Sequence, residues 1–266
     1  MRLPFDVRFD PEQRTSKGSP MWSWDAFFSI LTSTQLLEGA WVTIWLTVVS
    51  MILGLALAVV VASARSSKFV PLRIVAGFYV WLMRGTPLLV QLVIIYTGLP
   101  QVGIKLGVIE AALVGLVLNE AAYLSEIVRS GLLSVPTGQT EAARALGMSP
   151  TKVFRVVVLP QALRVMIPPL GNSFNGLLKT TTLVSVISVQ ELLRRTQFLV
   201  QVNFRVLEGL CAAALYFLVL TTLWGLIQKM IEVRVGRGYD RNYRRKGGPS
   251  TPKLDDSAMK AEAVNR

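Results

Sequence analysis

The hydrophobic residues of this chain come in long runs, and polar residues interrupt those runs at a few particular points. From Gly39 to Ala64, "GAWVTIWLTVVSMILGLALAVVVASA", 26 consecutive positions carry no charge. About 20 apolar residues in a helix cross a hydrocarbon core of roughly 30 Å, so this run predicts a transmembrane helix. Four further spans follow. Residues 74–99 form the second, interrupted by "RGTP" at Arg84 to Pro87. The third, 111–128, carries Asn119, Glu120 and Glu126. The fourth, 162–189, holds Pro168–Pro169 and Lys179, and the fifth is 206–230, with Glu208 near its start. The pattern predicts an all-α integral membrane fold with a five-span domain over 39–235. Ahead of it, 1–20 is polar and predicts a disordered tail. Residues 21–38, including "WSWDAFFSILTSTQLL", predict an amphipathic segment along the membrane interface. Residues 236–266 predict a basic and then disordered tail.

The loop over 132–160 contains "EAARALGMSPTKVFRVVVLP", from Glu141 to Pro160. "EAARAL" is rich in helix formers. Gly147 supplies a helix C-cap, where a positive φ costs no side-chain clash. Ser149 and Pro150 start a second helix, with serine capping and proline in the first turn. That helix is expected to end or bend around Pro160. Helix, tight turn and helix together make a protruding knob, whose small alanines at Ala142, Ala143 and Ala145 suit a groove on another protein.

Charge orients these elements. The net charge is +12, from 28 Lys and Arg against 16 Asp and Glu. Five spans put the termini on opposite sides. Eighteen of the basic residues fall on the side of the 65–73 loop, the Glu141–Pro160 stretch and the C-terminal tail, and eight on the other. The excess of basic residues marks the cytoplasmic side, so the N-terminus lies outside and the C-terminus in the cytoplasm. Because the basic residues follow membrane sidedness, nucleic-acid binding is disfavoured. There is no histidine and one cysteine, Cys211. That composition excludes an internal disulfide and a cysteine-cluster metal site, and it removes the commonest general base. No catalytic residue and no metal site are expected. A phosphate-binding loop needs a lysine after its last glycine, but Gly171 to Gly176 is followed by Leu177.

Polar residues within the spans are candidates for a solute path, because intramembrane polar groups are costly. Asn119, Tyr123 and Glu126 share one helix face, with Glu120 beside Asn119. Glu126 and Arg129 are three apart and expected to pair near the span end. On the fourth span Asn172, Asn175, Lys179 and Thr182 form a stripe at spacings of three, four and three. Lys179 has three readings: a partner for a substrate carboxylate, a partner for Glu120, or a side chain snorkelling outward. Glu191 has two: a seat for an amino or other cationic group, or a solvated loop glutamate beside Arg194 and Arg195. Arg84, Thr86 and Pro87 break the second span. The freed backbone groups suit a cavity wall, or equally a packing kink.

The Glu141–Pro160 stretch resembles the "EAA" loop of ATP-binding-cassette importer permeases. Glu141, Ala142 and Ala143 lead, Gly147 follows at the expected distance, and Leu159–Pro160 closes it; Val157 stands where isoleucine is usual. "WLMRGTPLLVQL", "NEAAYLSEIVRSGL" and "KTTTLVSVISVQELLRR" resemble the polar-amino-acid branch, which includes histidine, glutamine and arginine permeases. The likeness covers roughly residues 25 to 235. The branch usually has Asp or Asn after the lysine, where this chain has Thr180, and the missing acid bears on substrate choice.

The resemblance implies the type I importer fold in a bacterial plasma membrane. It implies a second permease subunit, identical or related, and ATPase subunits docked on the cytoplasmic loop. ATP and Mg²⁺ would be held by those ATPases, with no cofactor in this chain. An external solute-binding protein would deliver the amino acid, and lipid would surround the spans. The competing reading is a stand-alone secondary transporter or channel, which has no use for Glu141 and Gly147. A membrane enzyme is opposed by the lack of histidine.

Overall fold

The structure is a computed structural model that describes residues 22–245; the expected N-terminal tail over 1–20 and the tail beyond 245 lie outside the described residues. The described residues form helices and no strand. They are α1 (Trp24–Leu31), α2 (Thr34–Arg65), α3 (Val70–Gly85), α4 (Leu88–Val93), α5 (Val108–Leu133), α6 (Thr137–Ala145), α7 (Pro150–Val153), α8 (Leu159–Thr180), α9 (Leu192–Asn203) and α10 (Val206–Arg245).

Among the described residues, four elements are long and apolar enough to cross a membrane: Thr34–Arg65, Val108–Leu133, Pro150–Ile187 and Val206–Val235. Val70–Gly85 and Leu88–Val102 are long and apolar enough only as a pair, and the two helices meet at 105°. The expected 74–99 span is therefore sharply folded and not a straight rod. Thr86 is extended (φ −116, ψ 144). Pro87 disfavours the helical conformation for the residue before it and cannot donate a hydrogen bond itself.

The 21–38 segment also differs from expectation. Ser33 caps α2, its hydroxyl accepting from the Leu36 amide at 3.4 Å, so residues 34–38 are the first turn of the first span. Only α1 is separate, and it is bolted to α10. The Tyr216 hydroxyl donates to the Leu31 carbonyl at 2.9 Å, and the Ser23 amide donates to Glu208 at 3.0 Å.

Pro160 does not end the second knob helix. The chain runs helically from Pro150 to Ile187, through a π-helical turn at Phe154–Val158 that ends two residues before Pro160. A wider turn there takes up the missing N–H and the bulk of the ring. The same arrangement recurs at Ile94–Gly98, two residues before Pro100. Pro168–Pro169 likewise sit inside α8 without a break. Across from them the Trp224 indole donates to the Gly171 carbonyl at 2.8 Å, and Trp224 stacks on Phe174.

α2 and α5 form the central pair, and α3, α8 and α9 pack around them. Close approach depends on small residues, as in other membrane helix contacts. A Cβ on Gly39 would lie 2.8 Å from the Leu192 Cα, a backbone atom of α9. Gly39→Ala is expected to cost about 1–3 kcal/mol. Gly77→Ala, where a Cβ meets nothing within 4 Å, is expected to be neutral or better. Thermal melting of the two variants checks this; equal melting temperatures refute it.

Candidate functional site

The knob is built as two short helical pieces. At the end of α6 the Gly147 amide donates to the Arg144 carbonyl at 2.9 Å, and the Met148 amide donates to the Ala143 carbonyl at 3.2 Å. These two bonds, with Gly147 at φ +78, make a Schellman cap. Pro150 opens α7 after an extended Ser149, but the serine side chain makes no capping bond, contrary to expectation. Glu141, Ala142 and Gly147 are exposed, as is Pro160, while Leu159 is half-buried. Leu146, at the tip, is 83% exposed. Ala143 is buried where α6 meets α7 and the π-helical turn at Phe154–Val158, so it holds the knob together and is not on its outer face.

Between α3, α4, α5 and α8 lies a cavity of about 600 Å³. Five consecutive residues of the broken span form one wall: Arg84, Gly85, Thr86, Pro87 and Leu88. α5 contributes Leu116, Asn119, Glu120 and Tyr123, and α8 contributes Ser173, Gly176, Leu177 and Thr180. Five expected path residues, Arg84, Thr86, Asn119, Glu120 and Tyr123, thus meet at one cavity.

The other four do not. Asn175, Lys179 and Thr182 fall beside the stripe that faces the cavity, which is Ser173, Gly176, Leu177 and Thr180. Lys179 is exposed and makes no ion pair among the described residues. The Thr182 hydroxyl donates back to the Lys179 carbonyl at 2.7 Å. Asn172, on the same stripe, accepts from Gln228 at 3.2 Å.

Glu191 is neither solvated nor in the cavity. It is fully buried and caps α9, accepting from the Leu193 and Arg194 amides at 2.8 Å each. Burial pushes its pKa up to about 7, against the pull of those two amides. The folded protein therefore holds this proton more tightly than the unfolded chain. That stabilisation is present below the ordinary glutamate range and is lost as pH rises through 7, by about 3 kcal/mol in all. Glu191→Gln keeps an acceptor for only one of the two amides, a loss that does not vary with pH, and it does not titrate. Melting of the wild type is expected to fall relative to the variant from pH 5 to pH 8; a constant difference refutes it.

Glu120 is buried and accepts from the Ser173 hydroxyl at 2.5 Å. It makes no ion pair among the described residues. Glu126 is the opposite case: Arg65, Arg84 and Arg129 all reach it, Arg129 at 3.2 Å and Arg84 at 3.6 Å. Arg84 also lies over the Tyr123 ring, 5.3 Å from its centroid. One carboxylate shared among three guanidinium groups leaves Arg84, 45% exposed, partly free at the cavity wall. The cavity so presents an uncompensated carboxylate and an under-used cation, with hydroxyls and leucines between them.

Two functional residues escaped the sequence reading. Ser173 lies on the stripe next to the one singled out. Gln91, in the apolar run after Pro87, is buried and bonded back across the helix break to Met83 and Thr86.

Comparison with known proteins matches residues 50–237 to the family described as "Binding-protein-dependent transport system inner membrane component". The L-cystine transport system permease protein TcyB of Bacillus subtilis (strain 168) is 43% identical over 219 residues, covering 80% of this chain and 92% of that protein. The glutamine transport system permease protein GlnP of Escherichia coli (strain K12) is 38% identical over 202 residues, covering 75% and 92%. Among solved structures, one of an amino acid ABC transporter with histidines superposes with a TM-score of 0.74 at 35% identity, covering 78% of this chain and 98% of that one. A chain of the MetNI methionine ABC transporter, at 24% identity and a TM-score of 0.62, shares the fold. These relatives are transport permease subunits and not enzymes, and ATPase and binding-protein partners go with ABC importers of this kind in general. With a cavity among its spans, a capped knob outside them and a family match over most of its length, this chain belongs to the inner membrane components of binding-protein-dependent transport systems.

Proposed function

We propose that the chain is a permease subunit of an ATP-driven importer of polar amino acids. The observation that carries this reading is the cavity, which offers one uncompensated carboxylate, Glu120, and one partly free cation, Arg84. An amino acid carries the complementary pair of charges. Glu120, with Ser173, takes the ammonium group, and Arg84 takes the carboxylate. Leu88, Leu116, Leu177 and Tyr123 face the remainder of the solute.

The exposed knob is the docking point for a separate ATPase subunit, which holds ATP and Mg²⁺; this chain needs no cofactor. Glu141, Ala142, Gly147 and Leu146 form the contact, and Leu159–Pro160 join it to the fourth span. A second permease subunit, a copy or a relative, completes the path, and an external solute-binding protein delivers the amino acid. The chain sits in lipid of a bacterial plasma membrane, N-terminus outside and C-terminus in the cytoplasm. A stand-alone carrier or channel is not favoured, because the relatives are permease subunits of multi-component systems.

The test is purification of the tagged chain from native membranes in mild detergent, mass spectrometry of what accompanies it, and uptake of labelled amino acids after reconstitution. An accompanying ATPase and ATP-dependent uptake are expected. A chain recovered alone that moves solute without ATP sinks the proposal.

A further inference from the structure

The wall formed by Arg84 to Leu88 is a place where a helix has been broken inside a membrane domain. In a continuous helix the residue at 87 would donate to the Met83 carbonyl, and Pro87 has no N–H to give. In a low-dielectric interior an orphaned carbonyl is costly, so a partner is required. Gln91 supplies it. Its amide nitrogen, which carries two hydrogens, has three acceptors in reach: the Met83 carbonyl at 2.9 Å, the Thr86 hydroxyl oxygen at 2.7 Å and, sharing a hydrogen, the Thr86 carbonyl at 3.2 Å. Its amide oxygen accepts from the Asn119 amide at 3.1 Å, and the same Asn119 group also donates to the Met83 carbonyl at 3.2 Å. The Thr86 hydroxyl closes the end of α3 by donating to the Leu82 carbonyl at 2.8 Å.

One buried glutamine therefore ties the last turn of α3, the linker and α5 together. Every residue it fixes lies within or beside the five-residue cavity wall. We infer that Gln91 is a positioning residue for transport: through its N–H groups it holds the break at one angle, and so sets where Arg84 and Thr86 stand. Leu88 and Leu92, its neighbours in α4, are buried in the apolar core, which fixes the far side of the joint. Asn119 belongs to the same clasp, so its amide group is committed to the backbone. The relevance of Gln91 to transport rests on the cavity being the amino acid's path.

The test uses the full-length chain with its partner subunits in lipid nanodiscs. Spin labels are placed on Trp81→Cys and Val90→Cys, both exposed and on opposite sides of the break, in a Cys211→Ser background. The distance distribution is expected to be narrow with Gln91 and at least about twofold broader in Gln91→Leu, which keeps the bulk and loses the donors. Gln91→Glu can donate only when protonated, so its distribution is expected to narrow as pH falls from 9 to 6. In uptake assays KM is expected to rise about tenfold in Gln91→Leu, the scale of one or two lost buried hydrogen bonds, with kcat per assembled complex changed much less. A distribution in Gln91→Leu as narrow as the wild type's overturns the inference, as does an unchanged KM for uptake in Gln91→Leu. If the spin labels respond as expected but wild-type complexes move no amino acid, the clasp stands and the reading of the cavity falls.

Discussion

Replacing Gly147 with aspartate is expected to abolish ATP-driven uptake while the chain still reaches the membrane. The residue sits at φ +78 in the cap of α6. A side chain there adds strain of about 1–2 kcal/mol, too little to unfold the packed spans. Within the chain a Cβ at this position meets nothing within 4 Å, so no internal clash follows. The damage falls on whatever covers the exposed tip. A carboxylate pressed into a close-fitting protein groove beside Leu146 is a buried charge without a partner, costing about 3–5 kcal/mol. That is more than a hundredfold in docking, and uptake per assembled complex is expected to fall accordingly. Gly147→Ala introduces the backbone strain alone and is expected to lose less than tenfold. Vesicle uptake, normalised to membrane content, separates the two; wild-type uptake by Gly147→Asp refutes the docking assignment.

Glu120→Gln is expected to raise the KM for uptake by about tenfold to a hundredfold, the scale of a lost charge-assisted hydrogen bond. Glutamine preserves size and still accepts from Ser173, so the fold should tolerate it. Its melting temperature should equal or exceed the wild type's, because a buried carboxylate without a cation is itself a cost. Those two directions together distinguish a ligand group from a structural one. Transport loss that merely tracks loss of protein, or a more stable variant that transports normally, removes Glu120 from the path. Ser173→Ala, which removes one neutral bond to that carboxylate, is expected to have a smaller effect in the same direction.

The elements themselves were legible because membrane spans announce themselves by length and apolarity, and Gly147 because a positive φ has few candidates. Arg84, Thr86, Asn119, Glu120 and Tyr123 were legible for a related reason: polar groups inside a span need partners, and here they converge. Phase was not. Asn172, Asn175, Lys179 and Thr182 have helical spacing, but spacing does not say which stripe faces inward, and the stripe that does, Ser173, Gly176, Leu177 and Thr180, is no more polar than its neighbour. Glu191 stood next to two arginines and read either as a seat for a cationic group or as a solvated loop glutamate, whereas its partners are backbone amides that no sequence pattern displays. Gln91 carried a usable signal, a hydrogen-bonding side chain in the first turn after a helix-breaking proline. Likewise Glu208 was visible as a charge at a span's start, but its bond to Ser23, 185 positions away, has no local trace.

The unbroken path from Pro150 to Ile187 has a mechanical consequence. At about 1.5 Å per residue, Ser173 stands roughly 35 Å along the rod from Pro150. A tilt of about 10° at the foot then sweeps that hydroxyl through about 6 Å, roughly a full helical turn. Such an arm transmits displacement only if it resists flexing, and Pro168–Pro169 are where it is weakest, since two backbone bonds are missing there. Trp224 and Gln228 of α10 brace that stretch, through the Gly171 and Pro168 carbonyls. The last helix is in this sense a splint, and the stroke delivered at the cavity wall depends on its stiffness as much as on the lever it supports.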